Sequence, residues 1–387
     1  SGTNVSTGLL VANTTYVLTS LTDNFGCPAQ SLGTSILITV GSVPTTATLT
    51  GSGNACSGAT STIKSVITGG APPYIINYTR NGVAQPAINP YLSNTNYSLG
   101  VLPVGTYNYQ ITSVTDNCGN TVPPGGLPGV YTITINAIPD ITGTVPASQT
   151  ICNDGTATIT LNSTVNNTIF NYTVASVPAA GYSWTAGKNP VAGGITDGDG
   201  NGTETLTRQL QHNYTDPVTV TYTITPTGPG ATACLGAPVT RTVIVNPTAV
   251  ITSAAAKTVC DITPLAYTAT SSTAGATFAW TRAVVAGISN GAGAGAAALI
   301  NESLDNTTTA PVNVTYIITP SFGGCPGTPF NLVVTVNPTA VITSAAVANV
   351  CDNVPLGYTA TSSTAGATFA WTRAIVAGIA NGAGAGA

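Results

Sequence analysis

Charge is the scarcest commodity in this sequence. Eight Lys and Arg and twelve Asp and Glu make up only 5% of 387 residues, where ordinary proteins carry about a quarter. The surface must therefore be built mainly from the hydroxyl and amide groups of Thr, Ser and Asn, and Thr in particular suits strands. With a net charge of −4 and basic residues scattered singly, there is no stripe to neutralise phosphates, which argues against nucleic acid as a partner. No run of about 18 apolar residues could span a bilayer. No charged segment precedes an apolar leader, and the C-terminus carries no lipidation signal. Methionine is absent, so an excerpt or a processed product is expected.

Histidine is nearly absent too: His212 stands alone. No Ser/His/Asp or Cys/His arrangement can be assembled around it, so no enzyme is expected. Its counterpart in the following repeat is Asn306, which argues against a catalytic role. The eight cysteines, Cys27, Cys56, Cys118, Cys152, Cys234, Cys260, Cys325 and Cys351, fall singly with no CxxC pair. That spacing speaks against zinc and for disulfides in an oxidising, extracellular place.

What the chain does have is repetition. NPTAVITSAA occurs at 246–255 and again at 337–346, and 43 of the 51 positions in 246–296 match 337–387. Cys260 and Cys351, and Trp280 and Trp371, keep the same offset of 91. An older copy lies upstream, where PVTVTYTITPT at 217 echoes PVNVTYIITPS at 311. A more distant one carries ITGGAPPYIINYT, LPVGTYNYQITSVTDNCGN and a closing GVYTITINAIP. This divides the chain into a C-terminal part of a repeat (1–40), complete repeats at 41–138, 139–246 and 247–337, and an N-terminal part of a further repeat (338–387).

Within each repeat the text reads as strands. Val218, Val220, Tyr222 and Ile224 alternate with threonines, the period-two pattern of a strand with one buried face. Several such runs per unit, broken by Gly, Pro and Asn and with no amphipathic helix, predict an all-β tandem array of immunoglobulin-like sandwiches. Trp184, Trp280 and Trp371 follow the second run of each unit and are expected in the cores. Pro247 and Pro338 stand where one unit's last strand becomes the next unit's first, so the linker is short and held extended, and an elongated rod is expected.

These same segments, GGAPPY, GTYNYQITSVTDNCG, the WT…GI stretch, VTYTITP and the VNP closures, resemble the PKD-like and gliding-adhesin repeats of giant Bacteroidota surface proteins exported by the type IX system. The resemblance covers essentially the whole chain. It implies a long cell-surface adhesin or filament.

Two disulfide schemes remain open. Each full unit has one Cys near its opening and one just before its last strand, so Cys56 with Cys118, Cys152 with Cys234 and Cys260 with Cys325 is the simplest pairing. Yet Pro247 to Cys260 is 13 positions, ~43 Å if extended, which carries that Cys to the far pole of its domain. Poles a domain length apart cannot be bridged. The far-pole Cys would then face the next unit, giving Cys56–Cys234 and Cys152–Cys325. A first strand broken near Thr252 would restore the pairing within units.

DGDGNGTE at 197–204 has the look of a calcium loop, with Asp197, Asp199, Asn201 and Glu204 as candidate ligands. Arg208 stands where the twelfth-position Glu is required, and the equivalent NGAGAGAA keeps only the alternate glycines. That control favours close backbone approach over metal. Tyr74, Tyr78, Tyr97, Tyr107 and Tyr109 could line a sugar site, though strand spacing favours core and edge positions. The function expected is a structural or adhesive segment of an extracellular stalk, with neighbouring repeats as partners and with other copies, surface glycans or other cells as further contacts. The alternatives are a carbohydrate-binding array and the non-catalytic region of a secreted hydrolase.

Overall fold

A computed structural model of the chain describes residues 8–30, 32–33, 35–142, 147–177, 185–191, 193–196 and 203–387. Three separate clusters of buried apolar side chains are present, one spanning 47–135, one 157–245 and one 251–336. Each sits between a larger sheet and smaller antiparallel pairings, as the period-two text demands: Val218, Val220, Tyr222 and Ile224 are all wholly buried in the strand Val218–Thr227.

The larger sheet has the same order in every unit. In 247–337 it runs Ala256–Cys260, Phe330–Asn337, Val312–Phe322, Thr277–Arg282 and Gly293–Gly295. In 139–246 it runs Ser148–Cys152, Val239–Asn246, Val218–Thr227, Ile169–Val177 and Gly193–Thr196. In 41–138 it runs Asn54–Cys56, Tyr131–Asn136, Gly105–Thr115, Tyr74–Arg80 and Ile88–Tyr91. Its neighbours are antiparallel except at one edge, where the opening strand lies parallel to the closing strand.

That edge follows from a break in the first strand. Ile251 bridges Ser271, just beyond the smaller sheet formed by Tyr267–Thr268 and Leu299–Ile300, and Tyr267 Oη hydrogen-bonds Ser253 Oγ and Ala254 O where the chain leaves it. From Ala256 the backbone joins Phe330–Asn337 instead, with Ala256 opposite Val333 and Cys260 opposite Asn337. The strand changes sheets without changing direction, so it still ends at the pole where the closing strand ends. A break near Thr252 therefore does not return the cysteine to its own domain's near pole.

The outer stretches are thinner. Residues 8–40 contain one strand pair, Thr14–Tyr16 with Ile36–Ile38, and 338–387 contain one, Trp371–Arg373 with Gly384–Gly386, among the described residues. Ile36, Leu37 and Ile375 are correspondingly exposed.

Candidate functional site

The residues that do something chemical are the cysteines at the joints. Cys56 is bonded to Cys234 with a Cα–Cα distance of 5.6 Å, and Cys152 to Cys325 at 5.4 Å. Each bond leaves one sandwich and ends in the next. No bond joins Cys56 to Cys118, Cys152 to Cys234 or Cys260 to Cys325; Cys27, Cys118, Cys260 and Cys351 are exposed thiols.

One construction serves both joints. The donor is the opening strand: Cys56 lies opposite Asn136 and Cys152 opposite Asn246, the last residues of their closing strands. The next residue locks the register, Ser57 N–H donating to Asn136 O and Asn153 N–H to Asn246 O, both at 2.8 Å. The recipient is the turn ahead of the next unit's closing strand, where Cys234 and Cys325 are buried. The two Asn side chains reach the same turn, Asn136 Nδ2 donating to Thr232 Oγ1 at 3.1 Å and Asn246 Nδ2 to Gly323 O at 3.4 Å.

The turn in turn carries the linker. A Cβ at Gly236 would stand 1.9 Å from Pro139 O, and one at Gly327 2.1 Å from Ala249 O. These glycines let the backbone leaving one domain lie against the cysteine turn of the next. Around the second joint, Asn153 Nδ2 donates to Thr248 Oγ1, so the residue beside the bonded cysteine also holds the linker.

Cys118 is built differently. Gly126, not a residue near Cys118, meets the linker of its unit, 2.1 Å from Thr45 O if given a Cβ. Cys118 lies on an earlier turn organised by Asp116, whose carboxylate accepts from the N–H groups of Ala71, Cys118 and Asn120. Burial pushes that carboxyl up, and those hydrogen bonds more than offset it, holding it below its usual range. Cys118 thus shares with Cys234 and Cys325 the hairpin between the penultimate and closing strands, where Thr115 bridges Thr121 as Thr227 bridges Leu235, and differs from them in being exposed and unbonded.

A model of the PKD-like domain matches residues 149–249 and 257–340. These two stretches of the chain are similar to the PKD-like domain and make its first and second PKD-like units. Each match begins ten residues after the repeat boundary at 139 or 247, beyond the linker that packs on the cysteine turn. No curated protein sequence matches the chain. Among solved structures, the titin I-band fragment I67–I69 is 11% identical, with 78% of this chain and all of that one covered at a TM-score of 0.42. Sidekick-1 immunoglobulin domains 1–5 are 12% identical, covering 77% of this chain and 58% of that one at 0.30. Mouse cadherin-23 EC22–24 is also 12% identical, covering 77% and 100% at 0.30.

Inside the second PKD-like domain, Trp280 is 9% exposed and meets Tyr316 edge-on at 5.6 Å. Trp371, expected in a core, is instead 56% exposed. The reason is packing: residues 338–387 repeat 247–296, and among the described residues no counterpart of Tyr316 lies over the ring. Trp184 lies outside the described residues.

Behind Trp280 sits a buried ionic network that the sequence reading missed. Arg282 donates from Nε to Glu302 Oε2 at 2.9 Å and from Nη2 to Oε1 at 3.2 Å, while Tyr316 Oη donates to Oε2 at 2.7 Å. Burial raises Glu302, but the Arg282 and Tyr316 hydrogen bonds outweigh it and keep the carboxylate below its usual value. Gly293 and Gly295 make room for this cluster, since a Cβ would fall 2.7 Å from Glu302 Oε1 and from the Trp280 ring respectively; Gly291 meets nothing within 4 Å. Close approach thus accounts for two of the three alternate glycines. Asp197, Asp199 and Asn201 lie outside the described residues, and Glu204 Oε1 accepts from Thr205 N–H.

His212 and Asn306 perform one task with different chemistry. His212 Nε2 donates to Val245 O at 3.1 Å and Nδ1 accepts from Tyr214 N–H. Asn306 Nδ2 donates to Val336 O at 2.8 Å and Oδ1 accepts from Thr308 N–H. Burial lowers the His212 pKa, partly countered by the bond to Val245, so the neutral ring is the working form.

Of the five tyrosines considered for sugar, Tyr74, Tyr78 and Tyr109 are buried, and Tyr97 and Tyr107 pack against the same core. Three of the five rings are thus committed to the core, and the other two are half-buried against it. Beside them is an open groove of about 420 Å³ lined by neutral groups including Thr79, Asn81, Thr106, Asn108 and Gln110.

Proposed function

We propose that this chain is a load-carrying segment of an extracellular stalk with a structural or adhesive role. The observation that carries this reading is the pair of bonds Cys56–Cys234 and Cys152–Cys325, each tying one sandwich to the next. A disulfide within a domain would stabilise that domain alone; a disulfide across a joint stops two folded domains from pivoting apart. Such bonds persist outside the reducing cytosol, and no helix among the described residues is long and apolar enough to cross a membrane. Repetition fits the same role, since added units lengthen a rod without new chemistry. The partners on this reading are neighbouring units of the same chain, with the neutral amide- and hydroxyl-rich sheet faces as the contact surface for glycans or further copies.

Immunogold labelling of intact producing cells with an antibody to the second PKD-like domain tests the placement. Label is expected at the cell exterior, along extended structures. Label appearing only after permeabilisation contradicts it.

A further inference from the structure

The donor half of the joint construction occurs a third time. Ala256–Cys260 lies parallel to Phe330–Asn337, and Cys260 is opposite Asn337, as Cys56 is opposite Asn136 and Cys152 opposite Asn246. Asp261 N–H donates to Asn337 O at 2.9 Å, completing the same register lock as Ser57 and Asn153. The linker clasp is there as well: Thr339 Oγ1 donates to Asp261 Oδ2 at 2.8 Å, in the place where Asn153 holds Thr248. The strand register thus sets the surroundings of Cys260 as it sets those of both bonded cysteines, and the clasped linker repeats the arrangement beside Cys152. Yet Cys260 is an exposed thiol.

We propose that Cys260 is the donor half of a third interdomain staple, and that its occupant is a cysteine on the turn ahead of the closing strand of a PKD-like unit seated on residues 337–339. This deepens the stalk reading and rests on it. The chemistry is a thiol–disulfide exchange. The two cysteine thiols lose two protons and two electrons and form one S–S bond, while a small-molecule disulfide such as glutathione disulfide accepts them and leaves as two thiols. Cys351 does not meet the description of the occupant. It keeps the 91-residue offset from Cys260 and so stands in a donor position of its own unit.

The internal duplication makes the test direct. Residues 338–387 repeat 247–296 closely, so appending a second copy of residues 297–337 to the full chain supplies such a turn and a copy of Cys325. A second variant exchanges 338–387 for a complete copy of 247–337, a sequence already folded on an equivalent joint. Both are oxidised in a glutathione buffer, alkylated and digested without reduction. A peptide joining Cys260 to the new copy of Cys325 is expected in both, and Cys260→Ser should leave that copy alkylatable. The inference fails if Cys260 stays a free thiol in both variants, or if the new cysteine bonds within its own unit, while Cys152–Cys325 is present in the same digest. Absence of Cys152–Cys325 as well would instead overturn the stapled-stalk reading beneath it.

Discussion

Cys152 and Cys325 are 173 positions apart in the chain and belong to different sandwiches, yet their Cα atoms stand 5.4 Å apart. The bond closes a loop that contains a complete joint, and it interlocks with the loop from Cys56 to Cys234, which covers the preceding joint. Cleaving either releases an orientation as well as a contact. Cys325→Ser is expected to cost about 2–4 kcal/mol, read by urea unfolding. It should also expose Cys152 to alkylation while leaving the Cys56–Cys234 peptide intact.

The pH response of the first PKD-like domain should trace to one residue. The folded state holds the His212 pKa below its ordinary 6.5, so unfolded chains take up the proton first as pH falls. Stability from this group is complete above pH 6.5 and is lost as pH drops from there toward the lowered folded value, with a limiting slope of about 1.4 kcal/mol per pH unit. His212→Asn, which copies Asn306, should flatten that slope between pH 7 and 5 in thermal scans. An unchanged slope contradicts the assignment.

Glu302→Ala should destabilise the second PKD-like domain by about 3 kcal/mol, because it strands the buried Arg282 charge and unpairs the Tyr316 hydroxyl. Replacing Arg282 and Glu302 together by Met and Leu should recover part of that loss. Denaturant midpoints of the three chains decide it.

Glycines four positions apart, Gly291 and Gly295, should behave differently. Gly295→Ala drives a Cβ to 2.7 Å from the Trp280 ring and should cost about 1–3 kcal/mol. Gly291→Ala meets open space and should leave stability within about 0.5 kcal/mol. Near-UV circular dichroism of Trp280 should change only in the first.

Much of the architecture was legible because burial leaves a periodic mark. Val218, Val220, Tyr222 and Ile224 announce their buried face, and the turn residues between such runs announce the unit. Duplication then transferred the reading from one copy to the next, as with Cys260 and Cys351. The staple was only half legible. Counting residues shows how far a strand can reach, but not that the chain switches sheets at 253–255 and keeps its heading, because that depends on which neighbour offers it an edge. Trp371 shows the complementary limit: a core position is a relation to covering strands, and the residue alone does not carry it. The Arg282–Glu302–Tyr316 network was missed since its members are 20 and 14 positions apart, with no period linking them. The equivalence of His212 and Asn306 was visible as a substitution, while its meaning needed the carbonyls of Val245 and Val336.

Peptide mapping of the unreduced chain tests the central claim most directly. The protein is alkylated, digested without reductant and searched for disulfide-linked pairs. The account predicts Cys56 joined to Cys234 and Cys152 joined to Cys325, with Cys118 and Cys260 alkylated. Peptides joining Cys152 to Cys234 and Cys260 to Cys325 would contradict it, leaving self-contained sandwiches whose joints are free to bend.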